Sequence, residues 1–516
     1  MTPPWRPAHS TRRLARTTGG SGAGRPSGRQ ARAVRREQVA DELAERRDLQ
    51  ARYRQVGDRG GQRRPFAART RIQPRAESFE LSTGSAEAIY PFQTASRAGS
   101  HGTGGIAIGA SPTGGTFCWD PWTLYTQGRL TNPNVLILGD VGSGKSALAK
   151  TLVWRGLEFG RGAHIIDPKG EYGALASAAG VEPIALRPGG GTVLNPLDPG
   201  RAGTTLAPTE LFHRNVATVR ALLEATLARP CRQLEMVVLT ATLARVARLD
   251  FTPADDRPLS VAAHGDVVTL PMLADALVDP PADIATRVNM DPGRVVEESR
   301  EMALALARLV DPHGDLGGMF AGHTNLDADA LGDLVVVDIA SVYRTHRHAL
   351  PLVMICAAAW LQLATETSPR GRFQVNDEAW ALLSDHGTAR WMQTNQKLAR
   401  QLSLSVVNIM HRLSDTAAAG DQGSAVRSLA EGVIADSGTW VIYRQKPSER
   451  RLLKETLQLN DVQTGLATRI GRGRGLWIVG GETREVALVD HLLSPIEQHL
   501  VDTDQAIRAV DDQVDR

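Results

Sequence analysis

The chain has 516 residues, 42% of them hydrophobic and 22% charged, enough apolar material for one large core or two modest ones, which excludes a chain disordered throughout. Its net charge of +3 is unevenly spread: residues 1–75 hold 19 Arg against 6 acidic residues, a +13 arm that leaves −10 on the remainder. Three cysteines, Cys118, Cys231 and Cys356, without CxxC spacing, support neither a disulfide framework nor a zinc site and fit a reducing cytoplasm.

Residues 1–80 are rich in Arg, Gly, Ser and Pro and poor in large apolar side chains, so burial cannot repay the entropy of ordering them; a disordered basic arm is expected. Within it, residues 33–56 have helix-forming composition with interleaved charges, which suits a single helix or one induced by a partner. The arm's charge suits phosphate on DNA or on anionic lipid, although genomic bias produces the same composition. From 81 to 130, short apolar runs such as Ile106-Ala107-Ile108-Gly109 and Phe117-Cys118-Trp119-Asp120 predict a β-rich lead-in. Strand–helix alternation follows, with a strand at 134–138, a helix at 146–159, a strand at 163–167 and a helix near 171–179, the pattern of a parallel sheet with crossover helices. Residues 208–330 lose the strand signals and carry Leu, Ala and Val at helical spacing, so an inserted all-helical subdomain is expected. Strands return at 334–338, 372–376, 403–410 and 439–443. The longest apolar stretch, 349–364, reads as a buried helix, so no transmembrane segment is expected. Residues 494–516 read as an acidic helical tail.

Gly139-Asp140-Val141-Gly142-Ser143-Gly144-Lys145-Ser146 stands between an apolar strand and a helix, where a phosphate-cradling loop belongs. Its glycines let backbone N–H groups wrap phosphates, Lys145 reaches the β and γ phosphates of ATP, and the Ser146 hydroxyl binds Mg2+. The cradle is expected to run from Gly139 to Ala147. Lysine is scarce, 6 against 53 Arg, and Lys145 occupies a place where a forked guanidinium would not serve. A second strand, Arg372-Phe373-Gln374-Val375-Asn376, ends in Asp377-Glu378, a Walker B pattern: Asp377 for the metal shell, Glu378 for the attacking water. An exposed Asp-Glu helix start is the alternative for these two residues taken alone. A third strand ends in Asp167-Pro168-Lys169-Gly170-Glu171-Tyr172. Strand ends converge on the ligand crevice of a parallel sheet, so Asp167 and Glu171 are candidates to lie near the γ phosphate, or else to build a turn.

Asp-Pro-Lys-Gly-Glu-Tyr, Leu194-Asn195-Pro196-Leu197 and Asp377-Glu378-Ala379-Trp380 resemble the motor domain of conjugative type IV secretion ATPases, of the HerA/FtsK-type P-loop translocase superfamily. The resemblance extends to Leu316-Gly317-Gly318-Met319-Phe320 before Thr324, to Arg400, and to Ser494-Pro495-Ile496-Glu497, and so covers about residues 130–504. It implies a RecA-like P-loop NTPase (α/β, parallel central sheet), with the ATPase domain at 131–207 and 331–493, assembling as a homo-hexamer. It also implies that ATP hydrolysis powers DNA or protein transfer, or channel assembly, at a membrane-embedded secretion channel. The protein is then cytoplasmic, peripheral at the inner face of the membrane. Such ATPases usually carry a large domain ahead of the motor, whereas about 130 residues precede the P-loop here, so that domain is expected either to come from a separate chain or to be dispensable. Where the family has Gln after the strand that follows Walker B, this chain has His411, expected to sense the γ phosphate. Arg400 matches a family arginine and is the first candidate for a cation acting in trans; Arg444, Arg472 and Arg474 are alternatives. A DNA-pumping coupling protein, with the arm as its DNA contact, is the alternative within the superfamily. A non-catalytic ATP-binding scaffold is the alternative outside it, and Glu378 argues against that one.

Overall fold

The computed structural model describes residues 105–501 except 113–114, 201–202, 204–205, 248–266, 328–330, 366–369, 418–424 and 481–483. The expected disordered arm, residues 81–104 of the lead-in and the tail beyond 501 lie outside the described residues.

Eleven strands form one sheet in the order β2-β1-β11-β10-β9-β3-β8-β7-β4-β6-β5. Seven of them are mutually parallel: β3 (Val135–Leu138), β4 (Gly162–Asp167), β5 (Ile184–Ala185), β6 (Leu334–Asp338), β7 (Arg372–Asn376), β8 (Leu404–Met410) and β9 (Thr439–Ile442). The expected parallel sheet is therefore one side of a mixed one, running from β9 to the edge strand β5. Four antiparallel strands extend it beyond β9: β10 (Arg474–Val479), β11 (Glu485–His491), β1 (Ile106–Ala110) and β2 (Thr116–Trp119). The lead-in thus joins the motor's own sheet. At β1, Gly109 passes so close to β11 that a Cβ would stand 2.0 Å from the Asp490 carbonyl oxygen, which only glycine allows.

β3, β4, β7, β8 and β9 are buried along their whole length, as a sheet covered on both faces requires. One face carries Val135, Ile137, Val375 and Val407 and packs against α1 (Pro121–Thr126), α2 (Lys145–Glu158) and α3 (Gly173–Ala178). The other carries Leu136, Leu138 and Ile166 and lies under a thicker helical layer. That layer holds the helices of the insertion, among them α4 (Pro208–Leu227), α5 (Gln233–Val246), α6 (Leu270–Val278) and α7 (Pro292–Val310), together with α8 (Leu350–Thr365), α9 (His386–Leu398) and α10 (Ala425–Ala435). The insertion is helical among its described residues, but it shares one apolar core with the sheet instead of forming a core of its own. Residues 347–364 are apolar and long enough to cross a membrane by length and composition, yet 72% of that window is buried at the centre of this layer.

The neck of the insertion is stitched by backbone contacts. Gly189 N–H donates to Gly317 O at 3.1 Å, Leu194 N–H to Met319 O at 2.8 Å, and Asn195 N–H to the Thr324 hydroxyl at 3.0 Å. A Cβ at Gly317, whose φ is +49°, would stand 2.4 Å from Gly189 N. The segments 194–197 and 316–320, far apart in sequence, are therefore one structural unit.

Asp120 ties the lead-in to the sheet. It caps α1 by accepting from Thr123 N–H at 2.8 Å, and it pairs with Arg161 at 2.8 Å, whose guanidinium lies over the Trp122 ring. Asp120 is buried, so its removal strands Arg161 as well as the helix end. Asp120→Ala is expected to lower unfolding stability by about 2–4 kcal/mol in denaturant titration, with the cap and the lost ion pair both contributing.

Candidate active site

The loop after β3 is fixed at both ends by the neighbouring strands. Gly139 N–H donates to Met410 O at the end of β8, at 3.3 Å, and Asp140 N–H donates to Arg444 O just past β9, at 2.8 Å. On the other side Gly473 N–H holds Ser143 O at 3.0 Å. Gly142 and Gly144 take φ of +72° and +118°, and a Cβ at Gly139 would collide with the Ser143 hydroxyl at 2.5 Å and with Tyr443 at 2.7 Å. The glycines are thus demanded by the bend and by the close approach of Tyr443.

Helix α2 begins at Lys145 with no side-chain cap and no acidic residue in its first turn, so its N-terminal N–H groups face the loop ready for an anion. The Ser143 hydroxyl is buried without a partner. Lys145 is buried and rests its Nζ on the Asp140 carbonyl at 3.1 Å. Burial lowers its pKa to about 8, against the pull of Asp377 and Glu378. These free N–H groups, the unpartnered hydroxyl and the ammonium would suit an anion such as a phosphate. Ser146 and Ala147 are half-buried at the start of the helix, and Val141 is 73% exposed at the loop's tip.

Across from the cradle β7 ends in Asp377 and Glu378, both buried. Glu378 adopts φ +55°, the left-handed region that a non-glycine residue enters at a cost, and the chain turns sharply there into a short 3₁₀ segment. Burial drives the Asp377 carboxyl up to about 6, and the phenol of Tyr172 approaches it at 3.5 Å. Burial would raise Glu378 too, but hydrogen bonds from His411 and Lys169 outweigh it and hold that carboxyl at about 2. Its Oε1 accepts from the Lys169 ammonium and from His411 Nε2 at 3.1 Å, while Oε2 accepts from the Trp380 indole. Because the carboxylate is ionised, the His411 ring must carry its proton on Nε2, and Nδ1 is buried without a partner.

The expected residues therefore fall into three groups. The loop from Gly139 to Ser146, Asp377, Glu378 and His411 converge on one crevice at the carboxyl ends of β3, β7 and β8. Asp167 lies beside it, but both its oxygens are taken by the backbone N–H groups of Lys169, Gly170 and Tyr172, at 3.1, 2.8 and 2.9 Å. It shapes the loop that delivers Lys169, and half-buried Glu171 follows on that loop. Arg400 is exposed at the opposite end of the sheet, before β8, whose seven residues span about 23 Å. Of the alternatives, Arg474 is paired with Asp490, while Arg444 and Arg472 are exposed near the loop.

Lys169, Tyr172 and Trp380 lie inside sequence motifs that assign them no role; Tyr443 and Arg412, whose guanidinium reaches Asp140 at 3.4 Å, likewise gain a place at the site only in the folded chain. For Lys169 a signal existed: the scarcity of lysine that marked Lys145 marks it equally.

Residues 121–234 match the profile of the family described as helicase HerA, central domain. Among solved structures the chain is similar to VirB4 of Thermoanaerobacter pseudethanolicus, with 22% identity and a TM-score of 0.59 over 77% of this chain and 99% of that one. It is also similar to the bacterial conjugative coupling protein TrwBdeltaN70, with 12% identity and a TM-score of 0.50 over 78% and 91% of the two chains. The fold is that of these P-loop motors. No curated protein sequence matches the chain.

The donors fit a magnesium ion: a hydroxyl at Ser146 and a carboxylate at Asp377 are hard oxygen ligands, and the raised Asp377 pKa marks a buried negative charge without full compensation. A carboxyl that ionises at 3.8 unfolded and about 6 folded stabilises the fold below 3.8, and that contribution is lost as pH rises through 6. Without metal at pH 7.5, Asp377→Asn is therefore expected to raise the thermal midpoint by about 2 °C or more. Calorimetry at falling pH should find this gain shrinking below pH 6 and gone near 4.

Proposed function

We propose that the chain is an ATP-hydrolysing motor of a conjugative transfer or type IV secretion apparatus. The observation that carries the hydrolytic reading is the ionised Glu378, held in a strained turn opposite the Lys145 cradle, since nucleotide binding alone has no use for a carboxylate there. The HerA-type match over 121–234 and the likeness to VirB4 and TrwB support the apparatus.

The first turn of α2 and Lys145 receive the phosphates, and Ser146 and Asp377 would hold Mg2+. Bound there, the ion would neutralise charge on the β and γ phosphates. Lys169 must leave Glu378 for a water to take its place, and the carboxylate then orients that water in line with the γ phosphorus. Oxygen–phosphorus bond formation accompanies cleavage of the bond to ADP. Once Lys169 has left, Glu378 loses one of the two hydrogen bonds that hold its pKa low, so it can orient the water and take up its proton, which ends on the phosphate released. His411 keeps Glu378 in place through Nε2 and, on rotation of the carboxylate, offers the same proton to the γ phosphate.

Arg400 is too far to reach its own cradle and lies exposed at the opposite end of the sheet, so in a homo-hexamer it would act as a cation supplied in trans to a neighbouring copy. The partners are channel proteins at the membrane's inner face. The basic arm would add phosphate contacts on DNA.

Lys145→Ala is expected to abolish nucleotide binding in a fluorescent-nucleotide titration. Glu378→Gln should bind ATP as the unaltered chain does while kcat falls about a hundredfold or more, and unchanged turnover there would sink the mechanism. Arg400→Ala should depress turnover only in particles that light scattering shows to be assembled. DNA affinity of the full chain should fall linearly on a log–log plot against salt, with a shallower slope once residues 1–80 are deleted; equal slopes would remove the arm from DNA binding.

A further inference from the structure

Beneath the crevice, on the sheet face that meets α8, four buried amides stand in line. Gln362 of α8 donates through Nε2 to Gln374 Oε1 at 2.9 Å, Gln374 Nε2 donates to Asn376 Oδ1 at 3.4 Å, and Asn376 Nδ2 donates to Asn408 Oδ1 at 3.0 Å. All four are at most 9% exposed. Their neighbours on this face are Leu136, Leu138 and Ile166, so the amides interrupt an otherwise apolar surface. The chain continues in kind at His164, which pairs in register with Gln374 and is buried with both ring nitrogens unpartnered.

Such a row is not there for stability. Each buried amide carries a desolvation penalty that its hydrogen bonds at best offset, Asn408 Nδ2 is buried without a partner, and apolar residues of the same shape would serve the core at least as well. Nor does it hold the strands together, because β7 and β8 already pair through their backbones with Asn376 opposite Asn408. What it adds is a side-chain tie just below the point where both strands end. Asn376 immediately precedes Asp377, and Asn408 stands three residues before His411, so the tie lies directly under the contact between Glu378 and His411. Through Gln374 and Gln362 the same tie reaches α8, the central helix of the thick layer.

We propose that Asn376 and Asn408, backed by Gln374 and Gln362, are positioning residues for hydrolysis: they tie the β7 and β8 ends together at their last backbone pair and thereby hold the placement of Asp377, Glu378 and His411 beyond it. The proposal rests on the ATPase reading above and adds to it a requirement that nucleotide binding does not share. Neither asparagine reaches the substrate. Their effect passes through strand ends whose displacement by about 1 Å is enough to cost up to a hundredfold in rate.

The test compares the full-length protein with Asn376→Leu, Asn408→Leu and the double variant, measuring thermal midpoint, kcat, KM for ATP and nucleotide affinity with and without magnesium. Each single change strands a partner in the 3.0 Å bond between the two asparagines and should lower the midpoint; the double change removes both ends of that bond, leaves only the Gln374 Nε2 contact, the longest of the row at 3.4 Å, without its acceptor, and should recover much of the loss. The expected result is that the double variant, though restored in stability, keeps a kcat about tenfold or more below the unaltered chain at similar KM, with a smaller gain in affinity from magnesium. Recovery of kcat together with the midpoint would overturn the proposal and leave the amides a packing role. Should the leucine pair not fold, a folded Asn408→Ala with undiminished kcat overturns it equally. An unaltered chain without Lys145-dependent turnover would remove the ATPase reading itself, a failure distinguishable from the first because it appears before any ladder residue is changed.

Discussion

The site depends on one register. β3 lies between β8 and β9 with Leu138 opposite Met410 on one side and Ile442 on the other, so all three strands end at the same level. Only in that register can Gly139 N–H reach Met410 O and Asp140 N–H reach Arg444 O, which pins the loop before it bends. Tyr443, one residue past β9, then fills the space that the Gly139 and Gly144 side chains would need. A slip of one residue in any of the three strands would turn its apolar faces over and unseat the loop together with the core.

Charge balance at the strand ends follows from the same convergence. Asp377, Glu378 and Lys145 are brought into a space nearly closed to water, where each raises or lowers the others' ionisation. Lys169 and His411 satisfy Glu378 and leave Asp377 undercompensated, so the two adjacent carboxyls are driven to opposite ends of the acid range. On the proposed reading that division would separate a metal ligand from a water-orienting group, although the sequence writes them side by side. Lys169 meets the carboxylate of the second of these, Glu378.

The thick helical layer is joined to this site more closely than an appended subdomain would be. Its neck is closed by backbone bonds between residues 189–195 and 317–324, and α4 and α9 lie in the core that covers β3 and β8. Movement of the layer therefore bears on strand ends, and the buried amides are the polar part of that contact.

By itself the sequence determined the elements whose signals are local: the glycine pattern of the loop, the strands at 334–338 and 372–376, and the helical spacing after 208. These are legible because backbone sterics and burial periodicity act over a few residues. It left β10 and β11 unread, since the glycine-rich run at 471–475 looks like a loop until β9 offers a partner. Asp167 appeared as a site acid because a strand end points at the ligand, whereas its oxygens belong to the turn that follows. Lys169 stood in a quoted motif, but its pairing with Glu378 joins residues 209 positions apart, and only the folded sheet decides which cation meets which carboxylate. Coulomb and hydrogen-bond terms depend on distance through space, and the order of strands across the sheet sets that distance.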